Sequence, residues 1–525
     1  MVVRVRLGSA TLSSGDRIEF NPAGVTCVVG GNNVGKSQLL RDIEGLMLPA
    51  FNPIVLEDLQ VKKSPASSAE VVDFVRANGY PDPSSPQDGH LFPRGGGSAI
   101  RPDDFSMVYQ NGDGVGLLKG WFVWHASAGS LGYVASSGVG DGGVEINPGH
   151  PLVKFFRNGH LERELSSLAE QTFGLALTLD RVNGNVRLRV GTPEADVPPI
   201  NLPTPEYSDA VAALPLLERQ GDGVRSFVGL AVQVLTEAYG IMLVDEPEAF
   251  LHPGQARALG RWLARESAAR DIQVVVATHD RDFVLGLVDA QQAPVRLMRL
   301  RREGDRNYIQ SIDHSEVLSL WADPVMRYSN ALQGLFHNSV VITESDGDCR
   351  FYAAVLDDVA RTRGRTHLAD DVLFVPSGGK QRMASMAGAL TPLGVRTFAI
   401  ADFDLLNDQA TVVRLVRSLG GTWTEEMRGD YVAFADPCNR QQLWPRLKEA
   451  GRAAVPPGEP TGRLDALLGA LRDVGLLVVP VGEMESFHRT IALHGSAWVS
   501  EMLEQRGHES CLPARDMLEP LLSCP

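Results

Sequence analysis

Short apolar runs closed by acidic or glycine-rich turns recur along this chain and lay out its strands. Residues 2–7 alternate, residues 17–20 follow a Ser-Ser-Gly-Asp turn, and residues 25–29 form an apolar run that predicts a buried strand. Past a glycine-rich stretch, leucines on one face from Gln38 to about Met47 predict a helix. Further apolar runs at 241–244, 273–278, 339–343, 372–375, 395–401 and 476–481 lack alternation, as strands buried on both faces do. Residues 161–173 predict a helix, and 175–180 with 186–190 a hairpin through Asn183-Gly184-Asn185. A second hairpin is predicted from 295–302 and 307–312 around Glu303-Gly304-Asp305, and residues 313–335 read as a polar helical link. From 48 to 204 the pattern is loose, with exposed loops at 81–86 and 94–98 and no heptads, so no long coiled-coil arm is expected.

Composition narrows this picture without deciding it. The 525 residues suffice for two to four domains, and 44% hydrophobic with 22% charged residues is ordinary for a soluble protein. No eighteen-residue apolar run and no signal-peptide pattern at Met1 lead to the expectation of a cytoplasmic chain away from membranes. Five cysteines without CxxC spacing argue against zinc and against a disulfide framework. A net charge of −15 gives no case for indiscriminate nucleic-acid binding, and leaves DNA contact to a local basic stripe or a metal-filled acidic site.

The chemistry begins at Gly30-Gly31-Asn32-Asn33-Val34-Gly35-Lys36-Ser37, which fits G-x-x-x-x-G-K-[ST] between the 25–29 strand and the following helix. Backbone N–H groups and the helix dipole then face an anion, Lys36 reaches the β/γ phosphates, and Ser37 Oγ ligates Mg²⁺. Gly30, Asn32, Asn33, Gly35 and Gln38 complete the expected cradle for ATP or GTP. Asp245 and Glu246 close the 241–244 run, where Asp245 would hold Mg²⁺ through water and Glu246 would polarise the attacking water. His279, at the end of Thr278-His279-Asp280, is the candidate γ-phosphate sensor.

The phosphate loop, Asp245-Glu246-Pro247-Glu248-Ala249-Phe250-Leu251-His252-Pro253 and Thr278-His279-Asp280 together resemble the ABC ATPase heads of the RecF/SMC-like group. Strands entering a phosphate loop within the first 30 residues agree with that resemblance. It implies that Gln220 to Ser226, containing Gly221 and Gly223, is the signature loop capping ATP of a second subunit, hence a homodimer or higher homo-oligomer through the heads. The family's first signature serine is replaced by Gly221. The glutamine lobe falls on Gln60 or Gln110. Arg296, Arg299, Arg301, Arg302 and Arg306 mark the second hairpin as a solvated edge or, as the lesser alternative, a DNA-tracking stripe.

The second half is organised by acidic strand ends. Glu344 closes 339–343 with Asp348 across the turn, Asp402 and Asp404 follow 395–401 on one face at period two, and Glu483 and Glu485 follow 476–481. With no nearby lysine run, such a cluster calls for divalent cations. The order E…D-x-D resembles a Toprim domain, and head plus Toprim is similar to the OLD (overcoming lysogenization defect) family of ATP-dependent nucleases, which includes the nuclease of the Gabija anti-phage system. Ser377-Gly378-Gly379-Lys380 and the G-E-x-E at 482–485 belong to this resemblance. The late basic residue of that family has only His488 and Arg489 as counterparts here.

The expected fold class is therefore α/β, an ABC-type P-loop ATPase at 1–325 with a mixed-structure insertion at 50–204, then a Rossmann-like Toprim domain with a C-terminal helical segment at 326–525. The resemblance implies an ATPase and a Mg²⁺- or Mn²⁺-dependent DNA endonuclease or nickase, with Glu344, Asp348, Asp402, Asp404 and Glu483 or Glu485 holding one or two metal ions. Anti-phage defence and an accessory defence protein are implied in the same way. The competing reading is an ATP-switched DNA-binding or assembly module whose Toprim domain is inert.

Overall fold

In the computed structural model the chain divides into two compact units, Met1–Leu318 and Ser319–Pro525. The structure describes residues 3–48, 50–81, 88–93, 98–111, 115–136, 139, 150–199, 202–236, 239–291, 293–312, 315, 318 and 330–522. All but the first residue of the loop expected at 81–86, all but the last of the loop expected at 94–98, and most of the link expected at 313–335 lie outside these residues.

A six-stranded sheet carries the first unit, in the order Arg306–Ile312, Val295–Glu303, Gly24–Val29, Gln273–Ala277, Ile241–Asp245 and Val123–Ser127. The first pair is antiparallel and every other pairing is parallel. All residues of Gly24–Val29 and of Gln273–Ala277 are buried, which is why these strands read as unbroken apolar runs. A smaller antiparallel sheet joins Arg17–Glu19, Val5–Leu12 and Leu56–Lys63. Between the sheets, the helix Lys36–Leu46 buries Leu39, Leu40 and Ile43, the face its leucines predict. The helix Gly159–Phe173 and the hairpin of Leu177–Asp180 with Arg187–Val190 form where the pattern puts them.

The stretch from 50 to 204 is not a simple insertion. It supplies Leu56–Lys63 to the small sheet and Val123–Ser127 to the edge of the main sheet, with His125 opposite Leu243. Trp124, His125 and Ser127 hide that edge strand, because only part of it is buried and its pattern is neither alternating nor continuously apolar.

The second unit has a four-stranded parallel sheet ordered Val372–Pro376, Ser339–Thr343, Arg396–Ala401, Leu476–Val478. The chain moves outward from Ser339–Thr343 to Val372–Pro376, then crosses back to Arg396–Ala401. The order thus reverses between Ser339–Thr343 and Arg396–Ala401, the place where parallel sheets open a crevice at their carboxyl ends. The helix Asp346–Thr362 packs with Gly495–Glu504 and Leu512–Leu518 in one core, where Phe351 meets Trp498 edge-on at 5.2 Å. One expectation is corrected here. Asp402 and Asp404 do not share a strand face, because the strand stops at Ala401 and Phe403–Asn407 is a 3-10 turn. The Phe403 N–H donates to the Gly482 carbonyl at 2.8 Å, so pairing to the next turn replaces pairing within the sheet.

Candidate functional site

The first unit gathers its candidate residues at the carboxyl ends of the central strands. The phosphate loop leaves Gly24–Val29 and enters the helix Lys36–Leu46 with Gly30 at φ 150, Asn33 at φ 62 and Gly35 at φ 101. A Cβ at Gly30 would stand 2.3 Å from the Leu300 carbonyl oxygen, so this bend admits only glycine. Lys36 Nζ donates to the carbonyls of Gly30 at 2.9 Å and Gly31 at 2.8 Å, which curls it over the loop. Burial lowers its pKa, and the charges of Glu246, Asp245 and Glu248 oppose that shift, so the acidic strand end does face the lysine. Asn32 and Asn33 are exposed, and Ser37 is half-buried. The Gln38 side chain bonds along its own helix, donating to Asp42 Oδ1 at 2.8 Å and accepting from Arg41 at 3.1 Å.

Sequence reasoning missed Asp42. Fully buried, its Oδ2 accepts from the backbone N–H groups of Ile54, Val55 and Leu56 at 2.9, 2.5 and 3.0 Å, locking the phosphate-loop helix to the chain that follows. Glu248 was quoted only as part of a motif. It is buried, accepts from Thr278 Oγ1 at 2.5 Å, and is pushed up to about 8 mainly by desolvation. His279 Nδ1 lies 3.0 Å from Glu246 Oε1 and 4.0 Å from Glu248 Oε1. Glu246 itself has φ 52, an unusual backbone for a glutamate and a form of strain that clusters at working sites. Glu246→Gln keeps this shape while removing the proton acceptor, so ATP should bind normally and turnover should fall by about 100-fold or more. A wild-type hydrolysis rate in a phosphate-release assay would remove Glu246 from this role.

The helix Asp222–Thr236 begins just after Gly221 and contains Gly223 in its first turn. Gly221 is exposed with open space around it, whereas a Cβ at Gly223 would stand 2.5 Å from the Phe250 carbonyl oxygen. Gln60 bonds to Ser9 at 3.0 Å and Gln110 to the Ala66 carbonyl at 2.6 Å. Of the hairpin arginines, Arg299 is buried, Arg296 caps the Glu19 carbonyl at 3.0 Å, and Arg301 pairs with Glu303 at 2.5 Å.

In the second unit Glu344, Asp348, Asp402, Asp404, Glu483 and Glu485 converge on the switch point. Asp402 is pushed up to about 8, first by desolvation and then by Glu344, Asp348, Asp404 and Glu483. Glu344 is raised by desolvation and then by Asp404, although it accepts from the Asp402 backbone N–H. Asp348 caps its helix, accepting from Ser345 N–H at 2.8 Å, and is raised by burial with Glu485 nearby. Glu485 Oε1 accepts from Gly495 N–H at 2.8 Å. The N–H groups of Gly378 and Gly379 both bind the Glu344 carbonyl at 3.1 Å, which brings the next residue, Lys380, to 3.0 Å from Asp404. Lys448 stands 3.9 Å from Glu483. The cluster therefore has lysine counter-charges that linear reading placed too far away. Arg489 and His488 are held by the Glu449 carbonyl and Thr490, both at 2.9 Å.

Among the described residues, three buried carboxylate oxygens lack hydrogen-bond partners: Asp245 Oδ1, Glu248 Oε2 and Glu344 Oε1. Hard oxygen donors left over at a phosphate loop and in an acidic crevice fit Mg²⁺ or Mn²⁺. Among the described residues, no three His, Cys, Asp or Glu side chains are already gathered around one metal-sized point. No described helix is long and apolar enough to cross a membrane.

Residues 153–286 match a family model described as "AAA domain, putative AbiEii toxin, Type IV TA system". An uncharacterized protein of Methanocaldococcus jannaschii is 29% identical over 99 residues, covering 18% of this chain and 86% of that protein. The SMC head domain from Thermotoga maritima aligns at a TM-score of 0.31 with 14% identity, over 60% of this chain and 100% of that one. cbiO1 from Clostridium perfringens, part of the ABC transporter complex cbiONQ, aligns at 0.29 with 14% identity, over 61% and 90%. Structural likenesses of this size carry no functional argument by themselves. The AAA-domain match and the phosphate-loop geometry agree on a mixed α/β, ATPase-type head in the first unit.

Proposed function

We propose that this chain binds and hydrolyses ATP and is a divalent-metal-dependent DNA endonuclease or nickase of the OLD type, its second unit a Toprim-like nuclease. The observation that carries the nuclease reading is the convergence of carboxylates from three strand ends at the switch point, with Glu344 Oε1 unpartnered and Asp402 pushed up to about 8. Such a site is poised for cations, since mutual repulsion is what a divalent ion relieves. Glu344, Asp402 and Asp404 would hold the ion, with Asp348 and Glu483 or Glu485 completing its surroundings. A bound divalent ion would supply positive charge to the attacking water and the leaving oxygen of a phosphodiester. Lys380 orients Asp404, and the glycine N–H groups at 378 and 379 fix the backbone of Glu344.

In the first unit, Lys36 and Ser37 would bind the phosphates, Asp245 the Mg²⁺ of ATP, and Glu246 would take the proton of the attacking water with His279 beside it. Gly221 and Gly223 at the start of their helix would cap the nucleotide of a second copy. A role in anti-phage defence with an accessory protein extends the family resemblance.

The test is supercoiled plasmid incubated with Mg²⁺ or Mn²⁺, with and without ATP. Open-circle or linear product in at least one condition is expected. The lysine pairs at Asp404 and Glu483 favour one other reading, a second unit that is inert and an ATP-switched DNA-binding module. DNA binding without cleavage under every condition would establish that reading and end the nuclease proposal.

A further inference from the structure

A cavity of about 190 Å³ lies in the first unit at the amino ends of the parallel strands, on the side of the sheet opposite to the phosphate loop. Its walls include Gly240 and Ile272, which begin or immediately precede the strands that carry Asp245 and lead to His279. Arg4 and Arg6 line it with Asp271, the one carboxylate among the described lining residues, and Trp121 and Tyr239 are aromatic walls. The chain as a whole carries −15, so a cationic cavity here runs against the general balance.

The polar groups are unevenly satisfied. Arg4 and Arg6 both pair with Asp271, the latter at 2.7 Å, so one carboxylate serves two guanidinium groups. Burial and the neighbouring Arg4 charge push Arg6 below its ordinary value. Two donors are buried with no partner, Arg6 Nη1 and Trp121 Nε1. Trp121 is only 6% exposed. Buried donors left unpaired are costly, and both unpaired groups here are donors. What they lack is an acceptor, and what Arg4 and Arg6 lack is a second negative charge.

We propose that this cavity is a binding site for a small aromatic oxyanion, a phosphate monoester or carboxylate on a flat ring, distinct from the nucleotide site. The oxyanion accepts from Arg6 and Trp121 N–H groups, shares the charge of Arg4, and lays its ring against the indole and Tyr239. The volume exceeds the roughly 150 Å³ at which an engineered protein cavity already admits a benzene ring.

The phosphate loop also binds phosphates, so the test uses the full chain carrying Lys36→Ala. Phenyl phosphate, benzoate, inorganic phosphate and neutral phenol are titrated calorimetrically. Phenyl phosphate or benzoate should bind at least tenfold more tightly than phosphate, and phenol should not bind. Adding Trp121→Phe or Arg6→Gln should weaken the aromatic anion at least tenfold. Arg4→Gln, at a half-exposed position, serves if the Arg6 variant fails to fold, and should weaken binding several-fold. No binding of any anion, equal binding of phenol, or affinities unchanged in all folded variants would overturn the site.

Discussion

Lys36→Ala should abolish ATP binding. Lys36 is the charged donor of the phosphate cradle, and its Nζ already rests on the Gly30 and Gly31 carbonyls within the loop. A charge-assisted bond to phosphate contributes roughly 1.5–3 kcal/mol, and here its loss also leaves Asp245 and Glu246 uncompensated beside an anionic ligand. Repulsion and lost attraction act together, so affinity should fall by about 100-fold or more in titration calorimetry. Because Asp42, and not Lys36, ties the helix to the chain after it, the variant should keep its circular dichroism spectrum. Wild-type affinity in a folded variant would show that the loop does not bind nucleotide through this residue.

Local pattern was enough wherever chemistry and burial coincide in a continuous stretch. The strand-loop-helix around Lys36, the run ending at Asp245 and the buried strand before His279 all announce themselves, because both-face burial leaves unbroken apolar runs. What escaped depends on partners far away in sequence. Val123–Ser127 joins the main sheet through pairing to Ile241–Asp245, more than a hundred residues later, and its own side chains are mixed. Glu248 acquires its raised pKa by burial, which outweighs the opposing hydrogen bond from Thr278. Lys380 reaches Asp404 because glycines 378 and 379 fold back onto the Glu344 carbonyl, a contact no spacing rule encodes. The two-residue spacing of Asp402 and Asp404 suggested a strand, and the hydrogen bond from Phe403 to Gly482 decided for a turn. In each case tertiary pairing overrode local periodicity.

Asp402→Ala and Glu344→Ala should each eliminate DNA cleavage, leave ATP turnover nearly intact, and leave the metal-free fold no less stable than wild type. The separation follows from the two units, since the phosphate-loop residues all lie before 318 and the acidic strand ends all lie after 319. The stability expectation follows from charge. Asp402 is raised to about 8 because desolvation and four neighbouring carboxylates oppose its ionised form. The unfolded chain releases this proton near pH 4, whereas the folded chain keeps it until about 8. Stability from this group is therefore fully present below pH 4 and is lost as pH rises through the window up to about 8, by at most roughly 5 kcal/mol before neighbours relax. In EDTA the wild type should lose melting temperature between pH 5 and 8, and Asp402→Asn, which carries no proton to lose, should lose less. Mn²⁺ should reverse the order at pH 8 by stabilising the wild type and not the variant. An Asp402→Ala chain that still nicks plasmid in Mn²⁺, or that loses activity only in proportion to lost folded protein, would show that these carboxylates are structural. A flat wild-type melting profile would show instead that the cluster is already compensated, with Lys380 and Lys448 supplying the charge assigned to the metal.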